Sequence, residues 1–190
     1  ATGRYPSAST PTASAALKLV AEAYPFAPGG RLLLSTDNHN SVNGIREFAR
    51  AGQSAVDYAP LTRPELRLDL AATEALLAQA DPDAPNLFAF PAQSNFSGVQ
   101  HPLDLVMKAR ALGFDVLLDI AAFIPSHAFS LRKCPAAFVA MSCYKLFGYP
   151  NGIGARVARR DALARRSRPW LPSRPVGDGR LRTVPRPPRP

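Results

Sequence analysis

Apolar residues recur at helical spacing over residues 10–24, where Ala16, Leu17, Val20, Ala21 and Tyr24 share one face. Pro25, Pro28, Gly29 and Gly30 then break the chain. Residues 31–35 (RLLLS) form a short apolar run without helical period, which predicts a strand buried on both faces. A helix is predicted over 41–50, a strand near 54–58 and a loop over 59–68. Asp69 is placed to cap a helix over 70–80 that ends before Asp81-Pro82. Further strands are predicted over 87–90, 114–118, 136–142 and 153–158. Between the first two of these, Pro102 opens a helix with Leu105, Val106, Ala109 and Leu112 on one face and Gly113 as its stop.

Strands that alternate with helices imply βαβ units. The expected fold is therefore α/β: a three-layer α/β/α arrangement around a mainly parallel sheet. In such sheets ligands bind beyond the carboxyl ends of the strands. His39, Asn95, Asp119, Ser142 and Lys145 all fall just after predicted strands.

Composition changes this picture at one end only. The chain has 190 residues and a formal charge of +9. Eight arginines against the single acid Asp178 lie in residues 165–190, so the tail holds +7 of that charge and the remainder is nearly neutral. The tail also holds seven prolines and little apolar pattern, and is expected to be disordered or non-native. The domain expected from these contrasts is residues 1–164, followed by an Arg/Pro-rich tail, 165–190. Confinement of the charge argues against nucleic acid as the natural partner. A non-catalytic module that binds polyanions through the tail stays open as an alternative. No apolar run is long enough for a membrane span and no secretory signal is evident, so a cytoplasmic location is expected. Cys134 and Cys143 lack metal-ligand spacing and read as reduced thiols; no metal site is expected.

Lysine is scarce: Lys18, Lys108, Lys133 and Lys145 are the four. Only Lys145 follows a predicted buried strand. A lysine at the mouth of a parallel sheet is a Schiff-base candidate, although position alone fits a plain surface lysine better. Asp119, at the end of FDVLLD, is either a turn-capping carboxylate or the counter-ion of a bound cation. At ~4 Å such a pair attracts by about 4 kcal/mol at an effective dielectric of about 20, before desolvation is subtracted. His39 and Asn95 read either as loop formers or as ligand contacts. Thr12-Ala13-Ser14 opens the first helix, and its N–H groups and hydroxyls suit a phosphate or an ordinary N-cap.

Five segments taken together carry a resemblance: TPTASAALKLVAEAYPF, TDNHNSVNGIRE, FPAQSNFSGVQHPL, VLLDIAAFIP and SCYKLFGYPNGIGA. With these the chain resembles the class V aminotransferase group of fold-type I pyridoxal-5′-phosphate (PLP) enzymes, which includes the cysteine desulfurases. Within the group it is most similar to the aminotransferase-like domain of molybdenum cofactor sulfurases. The resemblance implies a partial large domain with PLP as cofactor. It implies Lys145 as the covalent anchor and proton carrier, His39 stacked on the ring, Asp119 at the ring nitrogen and Asn95 at the ring oxygen. Ala13, Ser14 and Ser142 would hold the phosphate. Tyr144 is a weaker candidate, because desulfurases have a histidine there, and Ala122 stands where many have a glutamine. The implied substrate is L-cysteine, with the molybdenum cofactor as sulfur acceptor in the full enzyme and a homodimer as the assembly. An epimerase or lyase of the same group is the second enzymatic reading. The segment after the lysine departs from the group, and the expectation is a truncated or frame-shifted product that is inactive alone.

Overall fold

The computed structural model describes residues 5–148 and 152–165. A seven-stranded sheet runs through the described residues, built from β1 (Ser7–Thr10), β2 (Arg31–Ser35), β3 (Ala55–Ala59), β4 (Asn86–Pro91), β5 (Phe114–Asp119), β6 (Phe138–Ser142) and β7 (Gly154–Ala158). The strand order is β1-β7-β6-β5-β4-β2-β3. All pairings from β3 to β6 are parallel, while β7 runs antiparallel to both β6 and β1.

The helices are α1 (Ala13–Ala23), α2 (Asn40–Asn43), α3 (Ile45–Ala51), α4 (Leu70–Leu77), α5 (Leu105–Ala111), α6 (Cys143–Phe147) and α7 (Arg160–Ala164). They divide between the two faces of the sheet, because successive strand residues point to opposite sides. Leu32, Leu34, Leu87, Ala89 and Leu117 join α1, α3 and α7 in one apolar cluster. Leu33, Phe88, Phe90, Val116 and Leu118 join α4 and α5 in the other. The layers are therefore α/β/α. The uninterrupted leucines of β2 follow from burial on both faces.

Local chemistry sets the helix boundaries. Thr12 takes an extended backbone and its Oγ1 accepts the Ala15 N–H at 3.0 Å, which starts α1. Tyr24, forced out of the helical region by Pro25, ends it. Asp69 caps α4 by accepting the Ala72 N–H at 3.0 Å.

Four expectations need correction. Residues 7–10 form the strand β1, so the predicted helix over 10–24 begins three residues later than expected. The predicted helix over 41–50 is two short helices that meet at Gly44, the C-cap of one and the N-cap of the next. Residues 102–104 turn rather than continue α5, and Leu112, expected on its buried face, is 37% exposed. The short helices α6 and α7 were not expected. The Arg/Pro-rich tail lies outside the described residues except for Arg165, which forms an ion pair with Asp115 at 2.6 Å.

Gly154 positions the site. A Cβ at this residue would lie 2.3 Å from the Thr12 carbonyl carbon and 2.4 Å from the Ala13 nitrogen. Only glycine lets β7 pass this closely beneath the start of α1. That contact brings the helix N-terminus to the carboxyl end of β6, where Ser142 pairs with Gly154.

Candidate active site

A cavity of about 190 Å³ opens at the carboxyl ends of β4, β5 and β6. Ala13, Ser14, His39, Asn95, Asp119, Ser142, Tyr144 and Lys145 all line it. Each arrives on a different piece of local structure. Ala13 and Ser14 form the first turn of α1, and His39 is the N-cap of α2. Asn95 sits in the turn after β4. Asp119 and Ser142 end β5 and β6, and Tyr144 and Lys145 lie on α6.

Lys145 Nζ donates to Asn95 Oδ1 at 2.5 Å. Asp119 Oδ1 accepts the Ala121 N–H at 2.9 Å, its one hydrogen bond among the described residues. Burial pushes the Asp119 pKa above the ordinary carboxylate value, against the opposing pull of the Ala121 N–H and the charges of Lys145 and His39. A carboxylate in this setting gains most from a cation placed against its free oxygen.

The other end of the cavity is rich in hydroxyl groups. Ser14 Oγ and Ser41 Oγ are 2.5 Å apart, and Ser41 Oγ lies 2.9 Å from His39 Nδ1. Nδ1 also accepts the Ser41 backbone N–H at 3.2 Å, so the histidine caps its own helix. With the first N–H groups of the 11-residue α1, these hydroxyls form a donor set suited to an anion. Ser41 and Gln93 also line the cavity but were missing from the residues singled out in sequence. The signal for Ser41 was its place two residues after His39 at a helix start.

The Lys145 amine, the half-buried Asp119 carboxylate and the hydroxyl-lined start of α1 thus share one cavity at the mouth of a mainly parallel sheet. The aminotransferase class-V family model matches residues 9–176, and the chain belongs to that family. It is similar to molybdenum cofactor sulfurase 3 of Aedes aegypti, 39% identical over an alignment of 157 residues, covering 78% of this chain and 20% of the relative. It is likewise similar to the molybdenum cofactor sulfurase of Homo sapiens, 40% identical over 164 residues, covering 77% of this chain and 18% of that one. The chain thus spans about a fifth of the length of the curated relatives it matches.

Among solved structures, a cysteine desulfurase from Thermococcus onnurineus NA1 superposes with a TM-score of 0.76 at 24% identity, over 84% of this chain and 40% of that one. A cysteine desulfurase from Escherichia coli gives the same score and identity, over 87% and 41%. These structural matches establish the fold. No described helix is long and apolar enough to cross a membrane. No cluster of metal-ligating side chains occurs among the described residues.

Proposed function

We propose that this chain is the cofactor-binding part of a PLP-dependent enzyme of the molybdenum cofactor sulfurase type, which mobilises sulfur from L-cysteine. The observation that carries this reading is the cavity itself, which one lysine amine shares with a burial-perturbed carboxylate and a hydroxyl-lined helix N-terminus. The donor set fits PLP. Ala13, Ser14 and Ser142 would hold its phosphate, with Ser41 beside them. Asp119 would pair with the ring nitrogen, Asn95 would meet the ring oxygen and His39 would cover the ring. Tyr144 would border the cofactor from α6. Lys145 would hold the cofactor through its amine and carry protons at Nζ.

When bound, PLP supplies an electron sink that makes bonds at the substrate's α-carbon labile. Asp119 would keep the ring nitrogen charged, and His39 would keep water from the ring face. Neither Cys134 nor Cys143 lines the cavity, so the thiol that accepts sulfur would come from elsewhere in a longer enzyme. By itself this chain would hold the cofactor weakly and release no sulfide. The molybdenum cofactor as final acceptor, a homodimeric assembly, a cytoplasmic location and a cofactor-binding domain over 1–164 with a separate tail over 165–190 belong to the same proposal.

Ala122, which also lines the cavity, loosens the analogy with the desulfurases while remaining compatible with the sulfurase reading, and an epimerase or lyase of the same family acting on another amino acid stands as the second reading. Release of sulfide and alanine from cysteine by a full-length homologue would separate the two.

The test is reconstitution with PLP, reduction with borohydride and peptide mapping. A mass increment on Lys145 is the expected result. Absence of label, or label spread over surface lysines, would overturn the proposal.

A further inference from the structure

Outside the residues that line the cavity, a second set of groups joins three loops. His101 Nε2 and Asp37 Oδ2 are 2.8 Å apart, with side chains 0% and 5% exposed. His101 Nδ1 accepts the Leu68 backbone N–H at 3.4 Å. With Nδ1 facing that donor, Nε2 is the nitrogen placed to donate to Asp37. Ser35 Oγ donates to the other carboxylate oxygen. Burial works to raise the Asp37 pKa, but the hydrogen bonds from His101 and Ser35 outweigh it and leave the carboxyl below its ordinary value.

The placement of this pair gives it a consequence. Asp37 lies in the turn after β2, two residues before His39, and the intervening Asn38 is tied to β4 through the Ala89 carbonyl at 2.8 Å. His101 closes the loop after β4: its N–H donates to the Ala92 carbonyl at 3.0 Å, and Gln93 pairs with Gln100. That loop carries Asn95. His39 is itself exposed, and among the described residues its side-chain hydrogen bonds all run to Ser41, so its position follows the backbone of its turn.

We infer that the buried Asp37–His101 hydrogen bond is a positioning pair that fixes His39 and Asn95 relative to each other across the cavity. The inference rests on the PLP reading and adds to it two residues that touch no cofactor.

The full chain and its variants can be titrated with PLP, followed by absorbance and by the visible circular dichroism of the bound cofactor, with apoprotein unfolding recorded in parallel. His101→Phe and Asp37→Ala are each expected to weaken PLP by about tenfold, the scale of one buried hydrogen bond, and to diminish the dichroic band. The double variant should lose no more than either single one. His101→Gln keeps an N–H to face Asp37 and should restore both affinity and band. If one disruptive variant fails to fold, the other serves alone. Should both fail, His101→Gln decides, and a band as weak as that of a misaligned site counts against the pair. Wild-type affinity in a folded disruptive variant, or no rescue by glutamine, overturns the inference while the cofactor reading stands. A wild-type chain that takes up no PLP defeats the cofactor reading, and the pair's role falls with it.

Discussion

The Lys145 amine donates to the Asn95 amide oxygen at 2.5 Å, joining residues 50 positions apart in the chain. The bond crosses from α6 to the turn after β4 and holds the one lysine of the cavity at its mouth. Removing the acceptor leaves the amine to solvent and also deletes the group proposed to meet the ring oxygen. Asn95→Ala should therefore weaken PLP by about tenfold, the scale of one hydrogen bond to a charged group, with little change in stability because both partners are accessible. A PLP titration beside a thermal melt checks both halves of this prediction.

Asp119 should be a site where binding and stability oppose each other. Its folded-state pKa is raised, so the proton is held more tightly in the folded chain than in the unfolded one. The stability this gives is fully present below the unfolded pKa and is lost as pH rises through the folded value. Above that value the ionised group is a net cost to the apoprotein. Asp119→Asn retains an oxygen for the Ala121 N–H without the charge. The variant should melt higher, by ~2–4 °C for each kcal/mol relieved, and should bind PLP much more weakly. The gain in melting temperature should shrink in acid, where the wild-type carboxyl is protonated. An equal melting temperature at pH 7 and no dependence on pH would contradict this account.

Gly154→Ala tests the contact beneath α1. The added methyl would overlap the Thr12–Ala13 peptide, which is backbone and cannot rotate aside. A loss of about 1–3 kcal/mol is expected from overpacking alone. Phosphate and PLP binding should fall further than stability, because the displaced element is the start of α1. Chemical denaturation and phosphate protection of the melt would separate the two effects.

The two thiols should differ sharply in reactivity. Burial pushes the Cys134 pKa up to about 11 against the weaker pull of the Ala136 N–H. At pH 8 only about one part in a thousand is then thiolate, and access is blocked as well. Cys143 is only half-buried. Iodoacetamide should label Cys143 in the native chain and reach Cys134 only on unfolding. Equal labelling rates in native buffer would refute this.

Much of the fold was legible because burial leaves a pattern. The leucines of β2 and the apolar runs of β4 and β5 announce strands covered on both faces, and the helical spacing of apolar residues in α1 announces a helix with one buried side. The elements that escaped leave no such trace. β1 is the polar sequence SAST, recognisable as a strand only through its pairing with β7. The direction of β7 is not encoded in residue alternation, and α6 and α7 span only five residues each, too short to display a period. The same distinction applies to the site. Asp119, Ser142 and Lys145 could be found because they follow strands. Ser41 and the Asp37–His101 pair arise from contacts between distant segments, the latter 64 positions apart, and no local spacing reports them.

That reach along the chain has a kinetic corollary. Ser14 meets Ser41 and Asn95 meets Lys145 at the cavity, and Asp37 meets His101 behind the loops that carry His39 and Asn95, so the site is assembled by contacts of high sequence separation. Such contacts form only after the loop-closure entropy of the intervening segments has been overcome, which places completion of the cleft late in folding. A ligand bridging those loops would recognise only the finished topology. Its occupancy would draw partly folded chains toward the native basin by mass action, so that PLP supplied during synthesis would raise the yield of folded chain.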